Sequence, residues 1–191
     1  MKRSVKAAAV AATMAFAAGI STGVADAHIV WTGFGSELVD HHTGGCLVAN
    51  GQGHASMINC GGVANYFAAW NLVSARPDTA GYANVVIQAT GTNMCLVAYG
   101  HFTGPSQING SSDVETATCN ANDDSQIWAM TSAAPRSGNT AHLNFFTFGQ
   151  RVCLDGGIGV YGFPESGCNP ANDYQEWDYV HGQYNDDGSP I

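Results

Sequence analysis

The chain has 191 residues, of which 45% are hydrophobic and 11% are charged, and its formal net charge is −9 at pH 7. An acidic chain of this kind repels nucleic-acid phosphates and anionic membrane surfaces, so nucleic-acid binding is excluded as a function class. The length suits a single domain that can bury a substantial hydrophobic core.

The first 27 residues have the pattern of a secretory signal peptide. Lys2, Arg3 and Lys6 form a basic head, an alanine-rich apolar run covers 7–20, and Ala25-Asp26-Ala27 offers small residues for cleavage. A retained membrane anchor is the alternative, but the apolar run is short for a bilayer. We therefore predict a secreted, extracellular domain over 28–191 with no membrane span.

Short β-rich runs recur along the rest of the chain, which shows no sustained period of 3.6. They cover 37–39, 85–87 and 143–148, and each leads into a Cys-Leu pair. Turn-forming residues separate them at 76–78, 110–113 and 134–138. The sequence predicts an all-β domain.

Three units of the chain repeat one order of residues: a Cys-Leu pair, a second Cys and then a Trp. The members are Cys46, Cys60 and Trp70; Cys95, Cys119 and Trp128; and Cys153, Cys168 and Trp177. Six cysteines in an exported chain favour disulfides over a metal site. The repeat favours one local pair per unit: Cys46–Cys60, Cys95–Cys119 and Cys153–Cys168.

The second and third units end in a Gln-x-Trp motif, at 126–128 and 175–177. Alternation along a strand places the Gln and the Trp of such a motif on one face and the middle residue on the other. We predict that Trp70, Trp128 and Trp177 are equivalent core anchors, in preference to sugar-stacking platforms. Gln126 and Gln175 are expected to hydrogen-bond the loop backbone beside them.

The combination of these motifs, from about Ser36 to Val180, resembles the ricin B-type lectin family. The resemblance implies a β-trefoil of three lobes, at about 36–82, 83–140 and 141–181, around a pseudo-threefold axis. It also implies non-enzymatic binding of sugars, often galactose or a related sugar. The first lobe departs from the family pattern because Ala68 stands where the Gln should be.

The family's sugar site can be transferred only in part. Its carboxylate, two positions after the first Cys, is present in the third lobe as Asp155, whereas its aromatic and Asn positions hold Ser166 and Tyr174. The resemblance, with neighbouring substitutes, implies a carbohydrate site formed by Asp155, Tyr161, Phe163, Asn172, Tyr174 and Gln175. The alternative for Asp155 is a turn aspartate that bonds its own backbone ahead of Gly156-Gly157.

In the first two lobes the carboxylate positions hold Val48 and Val97, which cannot bind a hydroxyl. Burial within the Cys-Leu strands is the favoured interpretation of both valines. The alternative is an outward apolar surface that binds a protein partner, for example in a secreted toxin or adhesion assembly.

The sequence contains no nucleophile elbow, phosphate loop or clustered carboxylate pair. His28, as a new N-terminus, could chelate copper as in lytic polysaccharide monooxygenases, but those enzymes need a second His on a β-sandwich. His41-His42 is interpreted as a solvated pair, and Asp186-Asp187-Gly188 lacks the further ligands of a calcium loop. We predict a protein that is not an enzyme, has no cofactor or metal, and binds a glycan or, alternatively, a protein.

Overall fold

The computed structural model describes residues 29–49, 53–60, 68–79, 82–99, 112–137, 140–157 and 159–180, with the backbone alone at 29–35, 78–79 and 133–137. The predicted signal peptide, His28 and Asp186-Asp187-Gly188 lie outside these residues.

Short strands make up most of the described chain. They are β1 (Ile29–Asp40), β2 (Gly45–Ala49), β3 (Ala55–Asn59), β4 (Ala69–Thr79), β5 (Tyr82–Ala89), β6 (Met94–Tyr99), β7 (Ser112–Thr118), β8 (Trp128–Ser137), β9 (Thr140–Thr147), β10 (Val152–Asp155), β11 (Tyr161–Pro164) and β12 (Trp177–Val180). Short 3-10 turns occur at Glu165–Gly167 and Asp173–Gln175. The predicted all-β class is confirmed.

Six strands form a closed barrel, and three of them, β1, β5 and β9, contain the β-rich runs of the sequence. The strand pairs β1–β4, β4–β5, β5–β8, β8–β9, β9–β12 and β12–β1 are all antiparallel, so the ring has no free edge. In β9, for example, burial alternates from Thr140 to Thr147, which is the pattern of a strand with one face toward a core.

Three hairpins, β2–β3, β6–β7 and β10–β11, complete the fold. Each hairpin pairs through its first strand with the preceding barrel strand: β2 with β1, β6 with β5 and β10 with β9. Four successive strands therefore repeat three times with the same connections, and the protein is a β-trefoil.

The three tryptophans occupy equivalent positions in the barrel core. Trp70, Trp128 and Trp177 are fully buried, as predicted. Each indole Nε1 donates a hydrogen bond to the carbonyl oxygen of the Leu that follows the first Cys of its lobe: Leu47 at 2.8 Å, Leu96 at 3.2 Å and Leu154 at 3.2 Å. The repeated Cys-Leu and Trp positions thus form one repeated contact, which satisfies the polar N–H inside the core.

Disulfides fasten each lobe with the predicted pairing. Cys46 is bonded to Cys60, Cys95 to Cys119 and Cys153 to Cys168. In the chain-entropy model, a disulfide that closes a loop of this size stabilises the folded state by about 3 kcal/mol. Each bond joins the first strand of a hairpin to the segment that follows the second strand of the same hairpin.

Candidate functional site

Three equivalent positions lie two residues after the first Cys of each lobe, and all three side chains are buried. Val48 is 5% exposed, Val97 is 1% exposed and Asp155 is 2% exposed. The favoured prediction of buried valines is confirmed, and the alternative of an outward apolar surface is wrong. The reason is that β2, β6 and β10 each contain four consecutive buried residues, so these strands are covered on both faces.

The residues opposite these positions come from the Gln-x-Trp motifs. In the first lobe Val48 packs with Ala68 and Ala69 in a small apolar cluster. In the third lobe the Gln175 amide Nε2 donates to Asp155 Oδ2 at 3.1 Å. The first lobe therefore has an apolar pair where the third has a carboxylate and an amide.

Gln126 and Gln175 also shape the loops of their lobes in the same way. Gln126 Oε1 accepts from Asn120 N at 2.8 Å, and its Nε2 donates to Thr118 O at 3.1 Å. Gln175 Oε1 accepts from Asn169 N at 2.8 Å, and its Nε2 donates to Gly167 O at 3.3 Å. The predicted bonds from both glutamines to loop backbone are confirmed.

Among the described residues, three donors bond the carboxylate of Asp155. Besides Gln175, the backbone N–H of Gly157 donates to Oδ1 at 2.9 Å, and the Tyr161 hydroxyl bonds the same carboxylate. The bond to Gly157 N is the predicted turn geometry. Because an ionised carboxylate has about four acceptor positions, these donors leave room for one more.

Burial destabilises the ionised form of the Asp155 carboxylate. Desolvation raises the pKa of Asp155 above its ordinary value, although its hydrogen bonds oppose the rise. The pKa of Tyr161 is also raised, by burial first and then by the Asp155 charge. A valine in this position would avoid the cost, as Val48 and Val97 do.

Asp40 is a second buried carboxylate near Asp155, and no motif in the sequence indicates it. Its Oδ1 accepts from Thr43 N and from Thr43 Oγ1, both at 2.7 Å, while Oδ2 is buried without a hydrogen bond. Burial raises the pKa of Asp40, and the Asp155 charge adds to the rise. A methyl group on Gly156 would come within 2.6 Å of Asp40 Oδ2, so glycine is required for this close approach.

The three aromatic residues predicted near Asp155 differ in how far they are buried. Tyr161 is buried, and the half-buried Phe163 lies beside it at 6.1 Å between ring centroids. Tyr174 is half-buried, packs on His42 at 4.0 Å between centroids, and lies against Gly157.

Asn172 has a backbone role in the structure. Its side-chain oxygen accepts from Tyr174 N at 3.2 Å and so caps the 3-10 turn that carries Tyr174 and Gln175. Ser166, at the family's aromatic position, is exposed on the other 3-10 turn. Asp155 therefore has Tyr161, Tyr174 and Gln175 near it, while Asn172 supports the turn.

A separate cleft of about 360 Å³ lies between the third lobe and strands β5 and β8. Its lining includes the rings of Tyr82, Phe146 and Phe148, together with Asn144 and Gln175, but not Asp155. Asn144 Nδ2 donates to Gln175 O at 2.7 Å, and its Oδ1 is buried without a hydrogen bond. The sequence predicted a strand over 143–148, and β9 includes 143–147, with Phe148 in the turn that follows. No pattern in the sequence indicated that these rings line a cleft.

Two histidines and two carboxylates form a cluster that the sequence did not indicate, because His41 was interpreted as one of a solvated pair, whereas its Nδ1 lies 3.1 Å from Asp178 Oδ2. His41, His142, Glu176 and Asp178 each offer a ligand atom within 4.8 Å of the others. The hydrogen bond to Asp178 raises the pKa of the His41 imidazole. Within the described residues these four side chains are a group that could hold a metal ion.

Comparison with known proteins gives likeness of structure without likeness of sequence. No protein-family model matches the chain, and no curated protein sequence matches it. A Caenorhabditis elegans protein of unknown function is similar in structure, with 10% identity, a TM-score of 0.59, and coverage of 81% of this chain and 97% of that one.

Two further solved structures are similar. The SDF2-like protein from Arabidopsis thaliana shares 14% identity with a TM-score of 0.60, over 80% of this chain and 94% of that one. SeviL bound to asialo-GM1 saccharide shares 16% identity with a TM-score of 0.49, over 79% of this chain and 99% of that one. At these identities the likeness concerns the fold alone.

The described part of the chain includes no helix with the length and apolar character needed to cross a membrane.

Proposed function

We propose that this chain is a secreted, non-enzymatic glycan-binding module of the ricin B lectin type, with one carbohydrate site in its third lobe. The proposal rests on the β-trefoil architecture together with the motif content of the sequence. Three local disulfides suit an oxidising compartment outside the cytoplasm.

One observation carries the proposal: among three equivalent buried positions, only the third-lobe position keeps a carboxylate. Val48 and Val97 occupy the other two inside an intact fold, so folding does not require a carboxylate there. Asp155 instead carries a desolvation cost that shows in its raised pKa. A carboxylate whose pKa is raised by burial is a candidate for a functional residue.

The residues around Asp155 have separate roles in this proposal. Asp155 is the anchor because a carboxylate accepts charge-assisted hydrogen bonds from sugar hydroxyls. Gln175 and Tyr161 orient that carboxylate through their hydrogen bonds. Phe163 and Tyr174, which are half-buried, offer ring surface to the apolar face of a sugar, and Asn172 holds the turn beneath Tyr174.

A single site of this kind gives weak binding. Lectins reach useful avidity by engaging several sites at once, and here two of the three lobes lack the anchor. Binding is therefore expected to need a dense glycan surface. The resemblance to the ricin B family favours galactose-type sugars.

The alternative function, a protein-interaction subunit, rested on outward-facing Val48 and Val97. Both side chains are buried, so that alternative loses the feature that supported it.

Gln175→Ala and Gln126→Ala form a matched pair of variants for testing the proposal. Each removes the same two loop contacts in its own lobe, but only Gln175 also contacts a carboxylate. On a high-density glycan array, we expect Gln175→Ala to lose most of the signal and Gln126→Ala to keep it. Equal signals from the two variants would place glycan binding outside the third lobe.

A further inference from the structure

The two carboxylates beside Trp177 point away from the barrel core. Glu176 has extended backbone, and β12 continues from Trp177 to Val180. Because side chains alternate along extended chain and Trp177 is inward, Glu176 and Asp178 both lie on the outer face.

A histidine from each neighbouring strand lies next to these carboxylates. On one side, His142 of β9 is the direct cross-strand partner of Asp178. On the other side, β1 ends with Asp40 opposite Trp177, and the following residue, His41, donates its backbone N–H to Glu176 O at 3.0 Å. The outer face thus places two imidazoles and two carboxylates on three adjacent segments.

The ligand atoms lie at short distances from one another. His142 Nδ1 is 2.7 Å from Asp178 Oδ1 and 3.1 Å from Glu176 Oε1. His41 Nδ1 is 3.1 Å from Asp178 Oδ2 and 3.9 Å from Glu176 Oε1. A tetrahedral ion with bonds of about 2.0–2.2 Å to nitrogen and oxygen separates its ligands by about 3.4 Å, which falls within this range.

We propose that His41, His142, Glu176 and Asp178 bind one zinc ion on the outer face of the barrel. Two imidazole nitrogens and two carboxylate oxygens form a donor set that zinc accepts, whereas calcium and magnesium prefer oxygen alone. Neutral imidazoles with two carboxylates give the cluster a charge that a divalent cation neutralises. The site is independent of the glycan site and does not rest on the proposed function.

One imidazole is arranged for coordination in preference to hydrogen bonding. His142 Nδ1 is buried and makes no hydrogen bond, although Asp178 Oδ1 is only 2.7 Å away. A buried ring nitrogen without a hydrogen-bond partner is unfavourable in the metal-free protein, and coordination would satisfy it. His41 is 41% exposed at its side chain, which leaves an entry path for the ion.

The position of the site predicts what the ion does for the protein. His41 follows the first barrel strand, whereas His142 and Asp178 lie on β9 and β12 of the third lobe. The ion would therefore join the first lobe to the last across the β1–β12 pair. An ion that binds only the folded state raises the melting temperature.

The experiment is a calorimetric titration of the untagged, metal-stripped full chain with zinc chloride, together with thermal unfolding in the presence and absence of zinc. We expect one zinc ion per chain and a higher melting temperature with zinc. His142→Gln and Asp178→Asn should each weaken zinc affinity by at least about tenfold. His41→Gln should do the same, and since His41 is exposed this variant keeps the fold.

His54→Gln is the matched control, because His54 is an exposed histidine outside the four-residue cluster and lies 3.4 Å from Glu115. It should leave the zinc affinity unchanged. The proposal is overturned if the wild-type chain takes up no zinc at about millimolar concentration. It is also overturned if His41→Gln, His142→Gln and Asp178→Asn bind zinc as the wild type does, or if His54→Gln weakens binding equally.

Discussion

In the third lobe, the side-chain amide of Gln175 donates a hydrogen bond to Asp155 Oδ2 at 3.1 Å, and both side chains are buried. The same two positions hold Val97 and Gln126 in the second lobe and Val48 and Ala68 in the first. The pair thus changes from carboxylate and amide, to valine and amide, to valine and alanine. The carboxylate occurs only where an amide is present to bond it.

This relationship predicts different costs for the same substitution in two lobes. Val48→Asp buries a charge beside Ala68, which has no donor, so a loss of about 3–5 kcal/mol in the free energy of unfolding is expected. Val97→Asp places the charge in the lobe where Gln126 supplies an amide, so its loss should be smaller by about 1–3 kcal/mol. Urea unfolding of both variants measures the difference.

The double variant Val48→Asp with Ala68→Gln is the control for that comparison. Supplying the amide should recover part of the stability that Val48→Asp loses. Equal losses for Val48→Asp and Val97→Asp, together with no recovery in the double variant, would show that the amide does not stabilise the carboxylate.

A second prediction concerns pH. Burial raises the pKa of Asp155 above its ordinary value of 3.8, so the folded protein keeps this proton to a higher pH than the unfolded chain does. The stabilising contribution of protonation is therefore full below about pH 3.8 and is lost as pH rises through the raised pKa. Asp155→Asn lacks this titration.

The measurement is the free energy of unfolding of the wild type minus that of Asp155→Asn, followed from acid toward neutral pH. The difference should fall as pH rises, by at most about 1.4 kcal/mol per pH unit for a single group. A difference that stays constant or increases with pH would contradict the raised pKa of Asp155.

Much of the fold was predictable because the same pattern of cysteines and tryptophan occurs in three successive units of the sequence. The spacing of Cys-Leu, the second Cys and Trp gave the local disulfides and the buried tryptophans, since a repeated contact leaves a repeated pattern. The position two residues after the first Cys was harder to assign. On a strand with one open face it would alternate outward, but β2, β6 and β10 are covered on both faces.

The features that the sequence analysis missed join residues far apart in the chain. His41 meets His142 and Asp178 only because the barrel closes with β1 beside β12 and β12 beside β9. Asp40 reaches Gly156 across the same junction of first and last lobes. The pairing register of the barrel strands brings these residues together, and a local sequence motif does not indicate that register.

The most direct test of the proposed function is the binding of Asp155→Asn to a high-density glycan array, beside the wild type and Asp124→Asn. Asp124 is the control because it is an exposed carboxylate of the second lobe, paired with Arg76 at 2.8 Å. We expect the wild type and Asp124→Asn to bind the same glycans, and Asp155→Asn to bind them at least about tenfold more weakly while it stays folded. Binding of Asp155→Asn at the wild-type level, or no glycan binding by the wild type, would contradict the assignment of a carbohydrate site to the third lobe.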